Sequence, residues 1–140
     1  MMQRVINILL VEDDRLDQME VQRTLQRKGI VHRLKIALNG EEALSILEES
    51  RDNQNRPDLI LLDLNMPKMN GFEFLERVRK VDEYKDIKVF VLSTSDDKED
   101  KVTAASYGIS GFITKPLKLE SPPSLDAFNL MIDLMNMQVK

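Results

Sequence analysis

The stretch LILLDLNMPKMNG, residues 59–71, decides the fold and raises an electrostatic difficulty. Four consecutive apolar residues, Leu59 to Leu62, run straight into a carboxylate at Asp63. An unbroken apolar run marks a strand covered on both faces, as in a parallel sheet, rather than one with a wet side. A charge at the end of such a strand is costly unless something pairs with it. The rest of the chain has to supply that partner.

Working outward, VINILLV (5–11), LKIAL (34–38) and KVFVLS (88–93) flank the central run, and GFIT (111–114) follows it; all read as strands. Helical spacing occupies the gaps. Residues 15–28 carry Leu16, Met19 and Leu25 behind a cap at Asp14, and residues 40–50 carry Ala43, Leu44 and Leu47, with Asn39 and Glu42 as a capping-box variant. Residues 71–81 carry Phe72, Leu75 and Val78; further helices are expected over 97–107 and 123–138. The polar stretch EESRDNQNRP, 48–57, reads as a solvated loop. Strict alternation predicts an α/β fold, a (βα)5 doubly wound five-stranded parallel sheet with right-handed crossovers.

Composition narrows the function. The 140 residues suit one domain, so 1–140 is expected to be a single domain with no output module. A net charge of −4 does not favour non-specific nucleic-acid binding, and the lack of cysteine removes thiol and thiolate-zinc chemistry. No run approaches the roughly 18–20 apolar residues of a membrane span. The opening MMQRVINILLVEDD fails as a signal peptide, because its apolar run is short and acids follow it. A cytoplasmic protein is expected.

In open α/β sheets, ligands lie beyond the carboxyl ends of the strands. The first strand ends on Glu12, Asp13 and Asp14, the third on Asp63, and the fourth on Ser93 with Thr94 and Ser95 following; Lys115 and Pro116 follow the fifth. The second ends on Asn39 and Gly40, which is helix-cap chemistry. Glu12, Asp13 and Asp63 left alone would repel one another and hold protons more tightly. A hard divalent cation relieves this, and magnesium suits one or two carboxylates, a carbonyl, waters and a phosphate oxygen. Lys115 adds a cation for phosphoryl oxygens and Ser93 a hydroxyl. These are the parts of phosphoryl transfer, with Asp63 as a nucleophile that becomes an acyl phosphate.

In order and over nearly the whole chain, ILLVEDD, LILLDLNMPKMNG, VLSTS and GFITKP resemble the four blocks of the receiver domain of two-component response regulators. The resemblance implies a flavodoxin-like sheet in the order 2-1-3-4-5. It implies Asp63 as phosphoacceptor and Asp13 as the metal-ligating acid, with Glu12 acting through water and Asn65 giving its backbone carbonyl to Mg2+. Ser93 and Lys115 would close on the phosphoryl group, the Lys115–Pro116 bond would be cis, and Phe112 would take the place of the aromatic switch residue. The chain also looks like the stand-alone subgroup of receivers, including those that accompany bacterial phytochromes. Implied partners are a sensor histidine kinase or histidine phosphotransfer protein and a downstream protein, without direct nucleic-acid or membrane contact. The long 48–57 loop and the tail LKLESPPS depart from a minimal receiver.

Blander roles suit other residues. Asp14 reads as a cap, and Asp17 as a first-turn acid complementing the helix dipole. His32, the one histidine, reads as a surface residue before the second strand and not as a phosphate donor. Phe112 lacks a hydroxyl, so any switch through it runs on burial; the alternative is plain core packing. In the last helix Leu125, Phe128, Met131, Ile132 and Met135 form an apolar stripe that Leu130, Leu134 and Met137 widen beyond the needs of a sheet. The surplus marks 123–138 as a docking or homodimer surface. Two other classes fit the sequence less well. A magnesium phosphohydrolase lacks a second acid, since Asn65 stands there, and has no cap segment. A flavodoxin-like cofactor binder would need a phosphate-cradling loop where VEDD places like charge.

Overall fold

Five parallel strands, β1 (Ile6–Val11), β2 (His32–Ala37), β3 (Leu59–Asp63), β4 (Lys88–Ser93) and β5 (Gly111–Thr114), form one sheet in the order β2-β1-β3-β4-β5. Four helices alternate with them: α1 (Arg15–Arg27), α2 (Gly40–Glu49), α3 (Gly71–Lys80) and α4 (Lys98–Ala105). A 3-10 turn, Asp82–Tyr84, precedes β4, and residues 129–134 are helical. The computed structural model describes residues 5–51, 56–64, 70–93, 98–115 and 129–135.

The three central strands bury both faces, as their unbroken apolar runs require. Leu9, Val11, Ile60, Leu62, Val89 and Val91 pack with Ala43 and Leu47 of α2, Phe74, Leu75 and Val78 of α3 and Ala104 of α4. The alternate residues Ile8, Leu10, Leu59, Leu61, Phe90 and Leu92 pack with Val21 and Leu25 of α1 and with Met131 and Met135. At about 1.5–3 kcal/mol per fully buried large apolar side chain, these two layers hold the fold. Helix starts are capped by side chains: Asp14 accepts from the Leu16 N–H at 2.8 Å, Asn39 from Glu42 at 2.9 Å and Asn70 from Glu73 at 3.0 Å. α1 ends at Gly29, whose φ of 67° permits paired bonds from Gly29 N–H to the Gln26 carbonyl (3.0 Å) and from Ile30 N–H to the Leu25 carbonyl (3.1 Å).

Two expectations change. β2 begins at His32 and ends at Ala37, rather than spanning 34–38. It is an edge strand covered less than the others, so Arg33 and Lys35 alternate outward, and continuous hydrophobicity is the wrong guide there. His32 therefore lies inside the strand, half-buried, with Nδ1 2.7 Å from the Ile30 carbonyl oxygen. On α1, Leu16 is 72% exposed and Met19 is also exposed, while Val21, Thr24 and Leu25 face the core. At 100° per residue, Leu16 and Met19 lie on the side of the helix away from Val21, Thr24 and Leu25, whereas Asp17 of the same turn faces inward.

Arg79 ties the far end of the molecule together. Its Nε donates to the Tyr107 carbonyl at 2.8 Å and Nη2 to that of Gly108 at 3.2 Å, while Nη1 reaches the carbonyls of Tyr84, Lys85 and Ile87 at 3.3 Å each. Burial lowers its pKa. Arg79→Met keeps the stem but strands these acceptors. It is expected to cost about 2–4 kcal/mol in urea unfolding, with Arg79→Lys recovering less than half because an ammonium cannot span the fork. A loss under about 1 kcal/mol for Arg79→Met contradicts the role.

Candidate functional site

Strand register decides which acids meet. Val11 pairs with Leu62 and Asp63 with Leu92. Glu12, whose N–H still bonds the Ala37 carbonyl at 2.9 Å, therefore comes level with Asp63. Both continue the parity of Leu10 and Leu61, which places them on the face that α1 covers. Glu12 is fully buried and Asp63 is 7% exposed, while Asp13, one residue on, is exposed. Gln18 of α1 fixes the corner by donating to the Glu12 carbonyl at 2.7 Å.

Lys115 is the partner that the sequence demanded. Its side chain, 8% exposed, donates from Nζ to Glu12 Oε1 and, at 2.9 Å, to Asp17 Oδ2; Asp63 Oδ2 lies 3.6 Å away. The second Glu12 oxygen accepts from the Asp14 N–H at 3.2 Å. Burial pushes the Glu12 carboxyl up to about 8; Lys115 pulls against this and the negative Asp63 adds to it. Burial alone would lower the Lys115 pKa, but hydrogen bonds to Glu12 and Asp17, with Asp63 nearby, raise it well above its ordinary value.

One oxygen each of Glu12, Asp13 and Asp63 lie within 4.8 Å of one another. An octahedral ion with ligands at about 2.0–2.1 Å spaces its oxygens roughly 3–4 Å apart, so the acids fit a hard divalent cation. Of the residues expected here, Glu12, Asp13, Asp63 and Lys115 are brought together. Ser93 closes β4 in register with Thr114, but its hydroxyl lies outside the described residues, as do Asn65, Thr94, Ser95 and Pro116. Phe112 is half-buried against the α2–α3 layer, with Lys101 Nζ 5.9 Å from its ring centroid.

Asp17 was read only as a dipole acid; the structure makes it a member of the site. Gly71 also gains a reason. A Cβ there would lie 2.6 Å from Leu64 Cα and 2.8 Å from the Asp63 carbonyl oxygen. Only glycine lets α3 begin against the backbone of Asp63, where its N–H bonds the Leu64 carbonyl at 3.0 Å. The NG that closes the opening stretch thus caps a helix and admits it.

Glu12 binds its proton more tightly folded than unfolded, so folding takes up a proton between the ordinary value of 4.5 and about 8. The stability from this group is present below 4.5 and is lost as pH rises to about 8. Denaturant titrations of the metal-free protein across that range should show this fall, and Glu12→Gln, which cannot ionise, should lack it while Asp13, Asp17, Asp63 and Lys115 act in both. Parallel curves contradict the assignment.

Known proteins resemble this chain in sequence and fold. Residues 8–122 match the response regulator receiver domain family. Response regulator Rcp1 of Synechocystis sp. is 37% identical over 115 residues, covering 81% of this chain and 78% of that protein. A two-component response regulator from Legionella pneumophila superposes with a TM-score of 0.78 at 37% identity, over 94% of this chain and 99% of the other. The Mn2+-bound form of Rcp1 gives 0.73 at 33% identity over 95% of each chain, and the bacteriophytochrome response regulator AtBRR 0.78 at 28% identity over 98% and 96%. With the sheet order and the carboxylate–lysine cluster at the carboxyl rim, they establish that the chain belongs to the receiver-domain family of two-component response regulators, whose general function is to accept a phosphoryl group.

Proposed function

We propose that Asp63 accepts the phosphoryl group, from the phosphohistidine of a sensor histidine kinase or histidine phosphotransfer protein. One observation carries this: a nearly buried carboxylate ends a central strand with an ammonium 3.6 Å away and oxygens of two further acids within 4.8 Å. An Asp63 oxygen attacks phosphorus, a P–O bond forms, and the P–N bond breaks with its electron pair returning to the donor imidazole. Lys115 leaves a carboxylate to hold a phosphoryl oxygen, and the Ser93 hydroxyl donates to another.

Asp13, Asp63 and the Asn65 carbonyl would hold Mg2+, and Glu12, with both oxygens already bonded within the protein, would act through water. The ion supplies positive charge among the acids and the phosphoryl oxygens. Manganese in the Rcp1 structure supports a divalent ion here. The protein is a signalling acceptor that assists its own phosphorylation and dephosphorylation, not an enzyme acting on a separate substrate.

Phosphate on Asp63 draws in Ser93, Phe112 enters the vacated space, and the region 94–117 shifts between two arrangements. Output runs through protein contact or onward phosphotransfer by the receiver domain, in the cytoplasm, with no direct nucleic-acid or membrane contact by that domain. Among the described residues no helix is long and apolar enough to cross a membrane. A phytochrome-type sensor is supported by the likeness to the cyanobacterial phytochrome response regulator RcpA and to the bacteriophytochrome response regulator AtBRR. The helix within 123–138 is a docking or homodimer surface: Leu130 and Leu134 are 50% and 53% exposed, whereas Met131 and Met135 are buried.

With a small-molecule acyl phosphate and Mg2+, the wild type should gain the mass of one phosphoryl group, removable by hydroxylamine, and Asp63→Asn should gain none. Undiminished labelling of Asp63→Asn refutes the nucleophile. Light scattering on the same samples should give a dimer that Leu130→Gln with Leu134→Gln dissociates. A monomer both before and after labelling removes the homodimer and leaves docking of another protein.

A further inference from the structure

We propose that Asp17 is a positioning residue for Lys115: it holds the ammonium against Glu12 and off Asp63, so that the cation of the acidic pocket does not compete with a lysine for the Asp63 carboxylate. This rests on the function proposed above for that pocket. Three carboxylates face one ammonium, and they are not equivalent. Glu12 and Asp17 stand within hydrogen-bond distance, Asp17 at 2.9 Å, whereas Asp63 at 3.6 Å is in Coulombic range but beyond a hydrogen bond.

Asp17 and Glu12 approach from different elements, a helix and a strand end, so the two bonds fix Nζ between them. The backbone sets where Asp17 sits, since its N–H bonds the capping Asp14 carboxylate at 3.2 Å. A dipole role alone does not explain the geometry. The first-turn acids Glu41 and Glu42 of α2 and Glu73 of α3 serve a dipole while remaining exposed. Asp17 instead turns to an ammonium that is 92% covered, its side chain being only 8% exposed.

Without the Asp17 charge, the donor it satisfied turns to Asp63, the third carboxylate near it among the described residues. An ammonium and a divalent ion then contend for the same oxygens, and cation affinity falls. On phosphorylation this half-buried, replaceable partner gives way, because Asp17 at 30% side-chain exposure is rehydrated far more readily than fully buried Glu12.

The test is calorimetric titration of Mg2+ into the full chain, with the 15N and 1H resonances of the Lys115 ammonium followed in metal-free protein. Asp17→Asn should weaken Mg2+ roughly tenfold and shift the ammonium resonance, and Asp17→Glu should restore both in part. Glu20→Gln, which removes a like charge one turn further along α1, should change neither by more than about twofold. Asp17→Asn within about twofold of wild type, an unmoved resonance, or an equal loss in Glu20→Gln overturns the proposal. A wild type that binds no Mg2+ overturns the metal site instead, and the ammonium resonance then decides the positioning role alone.

Discussion

One ammonium, that of Lys115, allows the carboxyl rim of this sheet to be acidic. Lys115 follows β5 at one edge of the sheet, yet its ammonium meets Glu12, which follows β1 three places inward in the strand order. A flexible stem is needed to lean inward from that edge, and a compact charge to satisfy carboxylates arriving from different directions. Lysine has both; the planar fork of arginine would suit one bidentate partner rather than three scattered ones. The sheet order is what brings the acids together, because β1 and β3 must be neighbours for Glu12 and Asp63 to stand level.

The pair is not what stabilises the fold. A buried ion pair recovers little beyond its desolvation cost, while the two apolar layers on either side of the sheet hold elements that would pack much the same without it. The rim spends stability to keep three acids and an ammonium close enough to rearrange. That arrangement suits a group that must receive a dianion: a pocket already relaxed around a neutral core would have no cation to redirect. α3 approaches the same strand end tightly, with Gly71 pressed against the backbone of Asp63 and Leu64.

Most of this was legible in the sequence where one physical signal dominated. Unbroken apolar runs identified β1, β3 and β4 because both faces of those strands are covered, and polar residues at their ends identified the rim. β2 was misplaced by two residues because an edge strand carries Arg33 and Lys35 at positions that a hydrophobic run excludes. Leu16 and Met19 carry apolar spacing on the side of α1 away from Val21, Thr24 and Leu25, because a helix with apolar residues on two sides does not reveal which one meets the sheet. Asp17 was missed for a related reason: an acid in a first turn has a sufficient local explanation. The signal was its place, since the capped first turn of α1 follows β1 after three residues and must stand over the same rim as Glu12. Arg79 could not be found at all, because carbonyl acceptors carry no sequence mark.

Arg79 also bears on how a change at the rim can travel. α4 is thinly attached: Ala104 is buried, whereas Val102 is 70% exposed and Thr103, Ala105 and Ser106 are also exposed. Elements with so few buried contacts open at low cost. Among the described residues, two further contacts differ in kind. The carbonyls of Tyr107 and Gly108, just past its C-terminus, are gripped by the Arg79 guanidinium, while Lys101, midway along it, lies over the Phe112 ring. Hydrogen bonds from a guanidinium are directional and stronger than an exposed cation–π contact, so displacement of Phe112 would disturb α4 at Lys101 before it disturbed the loop that Arg79 holds.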